Sequence, residues 1–260
     1  MKNVYSMTII FLLLLTGIML NGQINTEKFR QDNGEDAFQF KWGFALALHK
    51  GNTDLFRVDT DLNVSYSRGK NYIFLVGNIT YGEKQKDSYV NKGFVHLRGI
   101  RRFSKRLMLE LFAQEEFNKF ILLKRRSLIG AGLRTLVYKY EKGDAGLAVN
   151  AGIGFMWETE KFNQTGETAR KDDTSLFKST NYISIDYVIN KLLKAGNLTY
   201  MQFNTGRLKS TKIYSDLFFE VKLAKALSYI AAVNYRFDNN PPVTIKKYDI
   251  QVKNGITLQL

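Results

Sequence analysis

From Lys247 to Leu260, apolar residues occupy every second position: Tyr248, Ile250, Val252, Ile256, Leu258 and Leu260, with Asn254 the polar exception in the series. The alternate positions are Lys247, Asp249, Gln251, Lys253, Gly255, Thr257 and Gln259. A β-strand turns successive side chains to opposite faces, so this period of two predicts a strand with one greasy and one wet face. The same pattern begins near the other end of the chain. Phe38, Phe40, Trp42, Phe44, Leu46 and Leu48 share one face there, against Gln39, Lys41, Gly43, Ala45, Ala47 and His49. About twelve such segments follow one another, centred near Phe44, Asp61, Gly77, Leu97, Leu111, Gly132, Ala151, Ile185, Met201, Leu217, Ala231 and Asn254. Most reach about ten residues, the length a tilted strand needs to cross a bilayer.

The predicted connections alternate in length. Short turns fall at 68–70, 104–106, 141–144 and 224–226, with a longer one at 191–197 on the same side. Longer segments fall at 84–91, 119–126, 158–175, 207–212 and 238–246, with a short turn at Gly51-Asn52-Thr53-Asp54. If the first strand runs outward, the short set is periplasmic and the longer set external, and an even strand number returns the chain to the periplasmic side.

The N-terminal segment changes the setting. Lys2 precedes an apolar run from Thr8 to Leu20, followed by Asn21-Gly22-Gln23. That run is too short to cross a bilayer, which takes about 20 residues. It reads as a cleaved secretory signal over residues 1–22. A short polar periplasmic leader over 23–37 and a barrel over 38–260 complete the expected organisation. The fold class is therefore all-β: a transmembrane, antiparallel up-and-down barrel of about twelve strands in the bacterial outer membrane. Closure follows from physics, because an unpaired strand edge in hydrocarbon costs several kcal/mol per unsatisfied group. The last strand is expected to pair with the first, and to serve as the signal read by the barrel-insertion machinery. A lipocalin-like cup also alternates but turns its apolar face inward. The charged, Gly-rich polar face argues for the membrane, as does the clustering of aromatics near strand ends. Tyr66, Phe103, Tyr138 and Tyr187 are placed in a periplasmic girdle, and Trp157, Tyr235 and Tyr248 in an external one.

Composition adds two exclusions. There is no cysteine, so disulfides, thiolate metal sites and lipid attachment at cysteine are excluded. The net charge of +14 would suit nucleic acid in a cytoplasmic protein, but in an exported one it points to lipid phosphates instead.

Several short motifs carry a family resemblance. They are Gly51-Asn52-Thr53 after the first strand, Arg126-Ser127-Leu128-Ile129-Gly130-Ala131-Gly132-Leu133 in the middle, and Asp238-Asn239-Asn240-Pro241-Pro242 followed by Asp249. In this order, over 38–260, the chain resembles the outer-membrane barrels described as salt-induced outer-membrane proteins, a domain-of-unknown-function family. The resemblance implies a barrel and supplies no catalytic residues.

The polar face holds the candidate chemistry. Arg57, Asp59, Asp61, Arg98, Glu110, Arg134, Asp186, Glu220, Lys222 and Arg236 are expected to line the lumen, either as a charge-selective pore or as a salt-bridge network that fills it. His49 and His96 are the only histidines. No Ser-His arrangement with an orienting third group is legible, so no catalytic residue is assigned. No metal site or cofactor is assigned either, since no His and carboxylate cluster has ligand spacing. Lys124, Arg125 and Arg126 are candidates for binding lipopolysaccharide phosphates from outside. Three functions remain open: a small channel for ions or polar solutes, a non-conducting envelope or ligand-binding barrel, and, last, an embedded hydrolase. The oligomeric state is not legible.

Overall fold

The structure, a computed structural model, describes residues 36–258 apart from 53, 164–173, 207–209, 225–226 and 243–244. The expected signal and most of the leader lie outside the described residues. Twelve strands follow one another: β1 (Ala37–His49), β2 (Leu55–Arg68), β3 (Asn71–Lys84), β4 (Asp87–Arg102), β5 (Leu107–Asn118), β6 (Leu123–Lys142), β7 (Ala145–Phe162), β8 (Thr174–Val188), β9 (Leu193–Asn204), β10 (Thr211–Ala224), β11 (Leu227–Asp238) and β12 (Tyr248–Leu258). They form one sheet in sequence order, each strand antiparallel to the next. All twelve centres read from the alternation fall within their strands. The strands span 11 to 20 residues, at or above the roughly 9–11 a bilayer requires.

The register makes every face assignment consistent. Phe40 pairs with Val64, Val64 with Leu75, Leu75 with Leu97, and Leu97 with Ala113, an apolar belt that runs around the sheet. It continues through Ile129, Trp157 and Phe177. These outward side chains are largely exposed: Phe38, Phe40, Trp42, Phe44, Leu46 and Leu48 each show more than half their surface, as do Ile129, Ile153, Val252 and Ile256. A continuous apolar surface of this extent suits lipid rather than water, so the barrel spans a membrane. The inner face curls on itself. Tyr182 of β8 donates to Glu110 of β5 across the lumen at 3.1 Å, and the charge of Lys253 on β12 reaches Lys92 on β4.

Two features depart from the sequence reading. Three of the longer external segments, 84–91, 119–126 and 158–175, are partly strand, whereas 239–246 lies between β11 and β12 as expected. The 84–91 segment is a hairpin turned by Gln85 and Lys86, both at positive φ, a two-residue turn whose twist matches the flanking strands. The 119–126 segment is a single 3₁₀ turn at Lys119–Ile121 before β6 begins, and β7 continues past Glu158 to Phe162. On the opposite side, 191–197 shrinks to a short turn in which the Asn190 side chain accepts from the Leu192 and Leu193 amides. The second departure concerns closure. Among the described residues no ladder joins β1 to β12; they are the two ends of the strand order, and β1 is exposed along nearly its whole length.

The aromatic residues assigned to girdles sit as follows. Tyr66, Phe103, Tyr138 and Tyr187 are exposed at the end where β1 begins, hereafter the near end. Trp157 and Tyr248 are exposed toward the far end, and Tyr235 faces outward there, half-buried.

Candidate functional site: the lumen

Inward-facing residues are those paired away from the apolar belt. By register, Arg57, Asp59, Asp61, Arg98, Glu110, Arg134, Asp186, Glu220, Lys222 and Arg236 all turn inward. They do not form one group.

Near-end packing comes first. Tyr72, Phe74 and Val76 of β3 and Ile100 of β4 are almost wholly buried on the inner face, with Phe94 and Met108 against them. A second apolar cluster joins Tyr182, Leu198, Tyr200 and Tyr214 from β8, β9 and β10. Glycines make room for these rings. A Cβ at Gly152 would lie 2.1 Å from the Tyr182 ring, and one at Gly130 would lie 2.4 Å from the Phe112 ring. Inward glycine on one strand thus seats an aromatic from the next.

Above this packing lies a chain of polar contacts. Arg98 donates from Nε to His96 Nε2 at 3.2 Å and pairs through Nη1 with Glu110 Oε2 at 3.3 Å. His96 Nδ1 lies 3.0 Å from Gln114 Oε1. Because His96 Nε2 accepts from Arg98, its proton belongs on Nδ1, facing Gln114. Both nitrogens are engaged, and the ring stacks on Phe112. The Arg98 guanidinium lies over the Phe74 and Phe112 rings at 5.9 and 5.5 Å, and Arg134 lies over Tyr182 at 5.7 Å and donates to its hydroxyl at 3.3 Å. A cavity of about 50 Å³ remains among His96, Arg98, Glu110, Tyr182 and Gln202, room for about one or two waters.

Toward the far end is an ion cluster that the sequence reading missed. Arg126 of β6 pairs through Nη1 with Glu116 Oε2 at 3.0 Å and through Nη2 with Glu160 Oε1 at 2.5 Å, and its Nε lies 3.7 Å from Glu158 Oε2. Lys178 of β8 donates to Glu158, and Lys212 of β10 donates to Glu160 and Glu158. All six residues are buried. The cluster holds one carboxylate for each cation, so it is neutral as a unit and each charge is paired, the condition for tolerating ions away from water.

This overturns one assignment. Arg126 does not face lipid phosphates; β6 is already in register there, and an even position on β6 points inward. Lys124 and Arg125 remain exposed, with Arg125 Nη2 at 2.8 Å from Glu115 Oε1 on the outer face. Glu158, Glu160 and Lys212 fall in segments that the sequence pattern reads as external loops, whereas Lys178 lies in a predicted strand but has no partner legible from parity. The signal was present: Met156, Glu158 and Glu160 continue the inward parity of β7.

The remaining lumen candidates lie apart from the cluster. Asp61 accepts from Asn78 at 2.8 Å, and Asp186 accepts from the Ser184 hydroxyl at 3.1 Å; both carboxylates are exposed. Lys222 is exposed and Glu220 half-buried. Arg57 holds Asp59 through two hydrogen bonds, at 2.7 and 3.0 Å, and both are half-buried.

The lumen is therefore lopsided. Inward side chains of β3 to β9 are mostly buried against one another. Those of β1 are exposed, and those of β2, β11 and β12 are largely half-exposed.

The family described as "Protein of unknown function, DUF481" matches residues 42–259, nearly the whole barrel. No curated protein matches the chain. Among solved structures, one described as "NanC porin structure in rhombohedral crystal form" is similar over 86% of this chain and 100% of that chain, with a TM-score of 0.46 and 11% identity.

Proposed function

The chain belongs to that DUF481 family, whose description assigns no activity, and we propose that this member is a non-enzymatic outer-membrane channel for small polar solutes. The observation that carries the reading is the lopsided lumen. One wall, β3 to β9, is filled by rings and by neutralised ion pairs. The other wall, β11, β12, β1 and β2, turns inward polar side chains that are half-exposed, Arg57, Asp59, Asn63, Asn234, Gln251 and Lys253, and small exposed ones, Gly43, Ala45 and Ala47. A path along that wall is polar, eccentric and narrow. In the bilayer the β1 and β12 edges have to be matched, since unpaired backbone groups are not tolerated in hydrocarbon. Export by the N-terminal signal and assembly by the barrel-insertion machinery belong to the same reading.

The test is conductance of the refolded chain in a planar bilayer. Small, stable unitary steps are expected. Silence from a demonstrably folded, heat-modifiable barrel would sink the channel and leave the closed envelope barrel, with the Arg126 cluster as its permanent plug.

Lipid contact is a separate expectation. Lys124 and Arg125 are exposed beside the far-end interface and are the remaining candidates for lipopolysaccharide phosphates. Arg125 is exposed and so is its ion pair with Glu115, which makes the pair a weak contributor to folding. The Lys124→Gln/Arg125→Gln variant is expected to unfold at the wild-type urea midpoint while retaining less lipopolysaccharide on purification. Equal retention would remove lipid phosphate from the partners.

A further inference from the structure

We propose that the open wall carries a binding site for a small oxyanion, a phosphate or a carboxylate, centred on Lys92. The proposal rests on the channel reading only for the anion's route; the site itself is argued from side chains.

Lys92 turns inward from β4 and is only 6% exposed. Its Nζ is buried with no hydrogen-bond partner. A buried ammonium without a partner is rare and costly, and among the described residues the other buried lysines of the inner face each have one: Lys178 holds Glu158, and Lys212 holds Glu160. The charges that act on Lys92 are Lys253 of β12, Arg57 of β2 and Asp59 of β2. Two cations thus act on a third, against one carboxylate.

That carboxylate is already committed. Asp59 accepts from Arg57 at 2.7 and 3.0 Å and from the Thr80 hydroxyl at 2.9 Å. Thr80 stands beside both, paired with Asp59 on one side and Lys92 on the other. The Arg126 cluster shows how this barrel treats buried cations when it means to neutralise them, with one Glu for each. Around Lys92, among the described residues, the carboxylate whose charge acts on it is Asp59, set against Lys253 and Arg57.

An oxyanion supplies what is missing. It accepts from the Lys92 ammonium through charge-assisted hydrogen bonds and adds negative charge where Lys253 and Arg57 act on the same group. Access comes from the open side, because Arg57 and Lys253 are half-exposed. The Lys92 stem is long and flexible enough to carry its ammonium toward them. The mouth repeats the same charge: a cavity of about 240 Å³ at the far end is lined by Arg236, Lys246 and Lys247, with Asp249 the carboxylate among them. Anions entering there meet cations first, which concentrates them at the opening.

The experiment is equilibrium dialysis of radiolabelled inorganic phosphate against the refolded full chain in detergent micelles. Saturable binding to a single site is expected. Lys92→Met is expected to weaken it at least tenfold, Lys253→Gln several-fold, and Lys92→Arg to retain it. Should Lys92→Met fail to refold, Lys253→Gln decides, since that half-exposed side chain is replaceable without disturbing the packed wall. Absence of saturable binding by the wild-type chain overturns the proposal. So does binding that Lys92→Met and Lys253→Gln leave unchanged. Binding in micelles does not require conduction, so a silent barrel that binds phosphate would overturn the channel and keep the site.

Discussion

Replacing Arg126 by Met is expected to cost the folded barrel about 3–5 kcal/mol, the usual penalty for removing one partner from a buried ion pair. The urea midpoint of the heat-modifiable form measures it. Arg126 is the cation that holds the cluster's carboxylates together: it reaches Glu116, Glu160 and Glu158 at 3.0, 2.5 and 3.7 Å from three nitrogens of one planar group. Without it, Lys178 and Lys212 face Glu116, Glu158 and Glu160, and the cluster carries an excess buried negative charge. Met fills the stem's volume, so the loss reports charge rather than a cavity. Two companions sharpen the reading. Arg126→Lys keeps the charge but loses the fork, and is expected to fall between wild type and Arg126→Met. Adding Glu116→Gln to Arg126→Met removes the surplus charge and is expected to recover part of the loss. A wild-type midpoint for Arg126→Met would mean that water reaches the cluster, and that the β3 to β9 wall is not the filled one. The same variants bear on the channel. If the cluster blocks that wall, Arg126→Met should raise unitary conductance, whereas a path confined to β11, β12, β1 and β2 should keep its conductance unchanged.

The parity of the strands was legible because it needs only a period of two. Once Phe40 and Val64 are outward, the side of every residue on those strands follows, and along the sheet the register keeps this parity between its shifts, such as the one at Leu136/Tyr138 of β6. That is why each of the ten residues assigned to the lumen does turn inward. What parity cannot carry is height and partner. Arg98 meets Glu110 through neighbouring strands, but Glu158 meets Lys212 only because β7 and β10 are brought together by the curl of the sheet. Curl depends on strand stagger, which leaves no mark in the alternation. Loop boundaries failed for a different reason. Where a strand rises beyond the apolar belt, both faces become polar, as at Thr159, Glu160 and Lys161 of β7 or Asp87, Ser88 and Asn91 of β4. Polar residues on both faces resemble a loop, so the ends of the strands were read as external segments. The Gln85-Lys86 turn adds to this, since positive φ at two long side chains gives no turn signal in sequence. The lopsided lumen was beyond reach for the same reason as the cluster: it is a property of how filled each sector is, and small residues such as Ala45 read alike in a packed wall and an open one.

Filling also decides what a glycine is for, and this gives the second large expected effect. Gly154→Val is expected to prevent β6 and β7 from pairing normally, giving little or no heat-modifiable barrel on refolding. A Cβ at Gly154 would lie 2.5 Å from the Ala131 carbonyl oxygen and 2.9 Å from Gly132 Cα, closer than real Cβ atoms come, and the obstacle is backbone. A ring could rotate aside; a ladder carbonyl cannot move without breaking its own hydrogen bonds. Gly132 is the direct partner of Gly154, and a Cβ there would in turn meet the Ile153 carbonyl oxygen at 2.9 Å, so the two inward glycines permit one close approach from both sides. The ladder at stake joins the two longest strands, 20 and 18 residues, and β7 delivers Glu158 and Glu160 to the Arg126 cluster. Strain there therefore displaces the ions as well as the backbone. Gly255→Val is the matched control. Gly255 is also an inward strand glycine, on β12, but nothing lies within 4 Å of its missing Cβ. It is expected to refold as wild type does. If Gly154→Val and Gly255→Val refold alike, strand glycines in this barrel serve chain flexibility alone, and the close contact of β6 with β7 is not what fixes the filled wall in place.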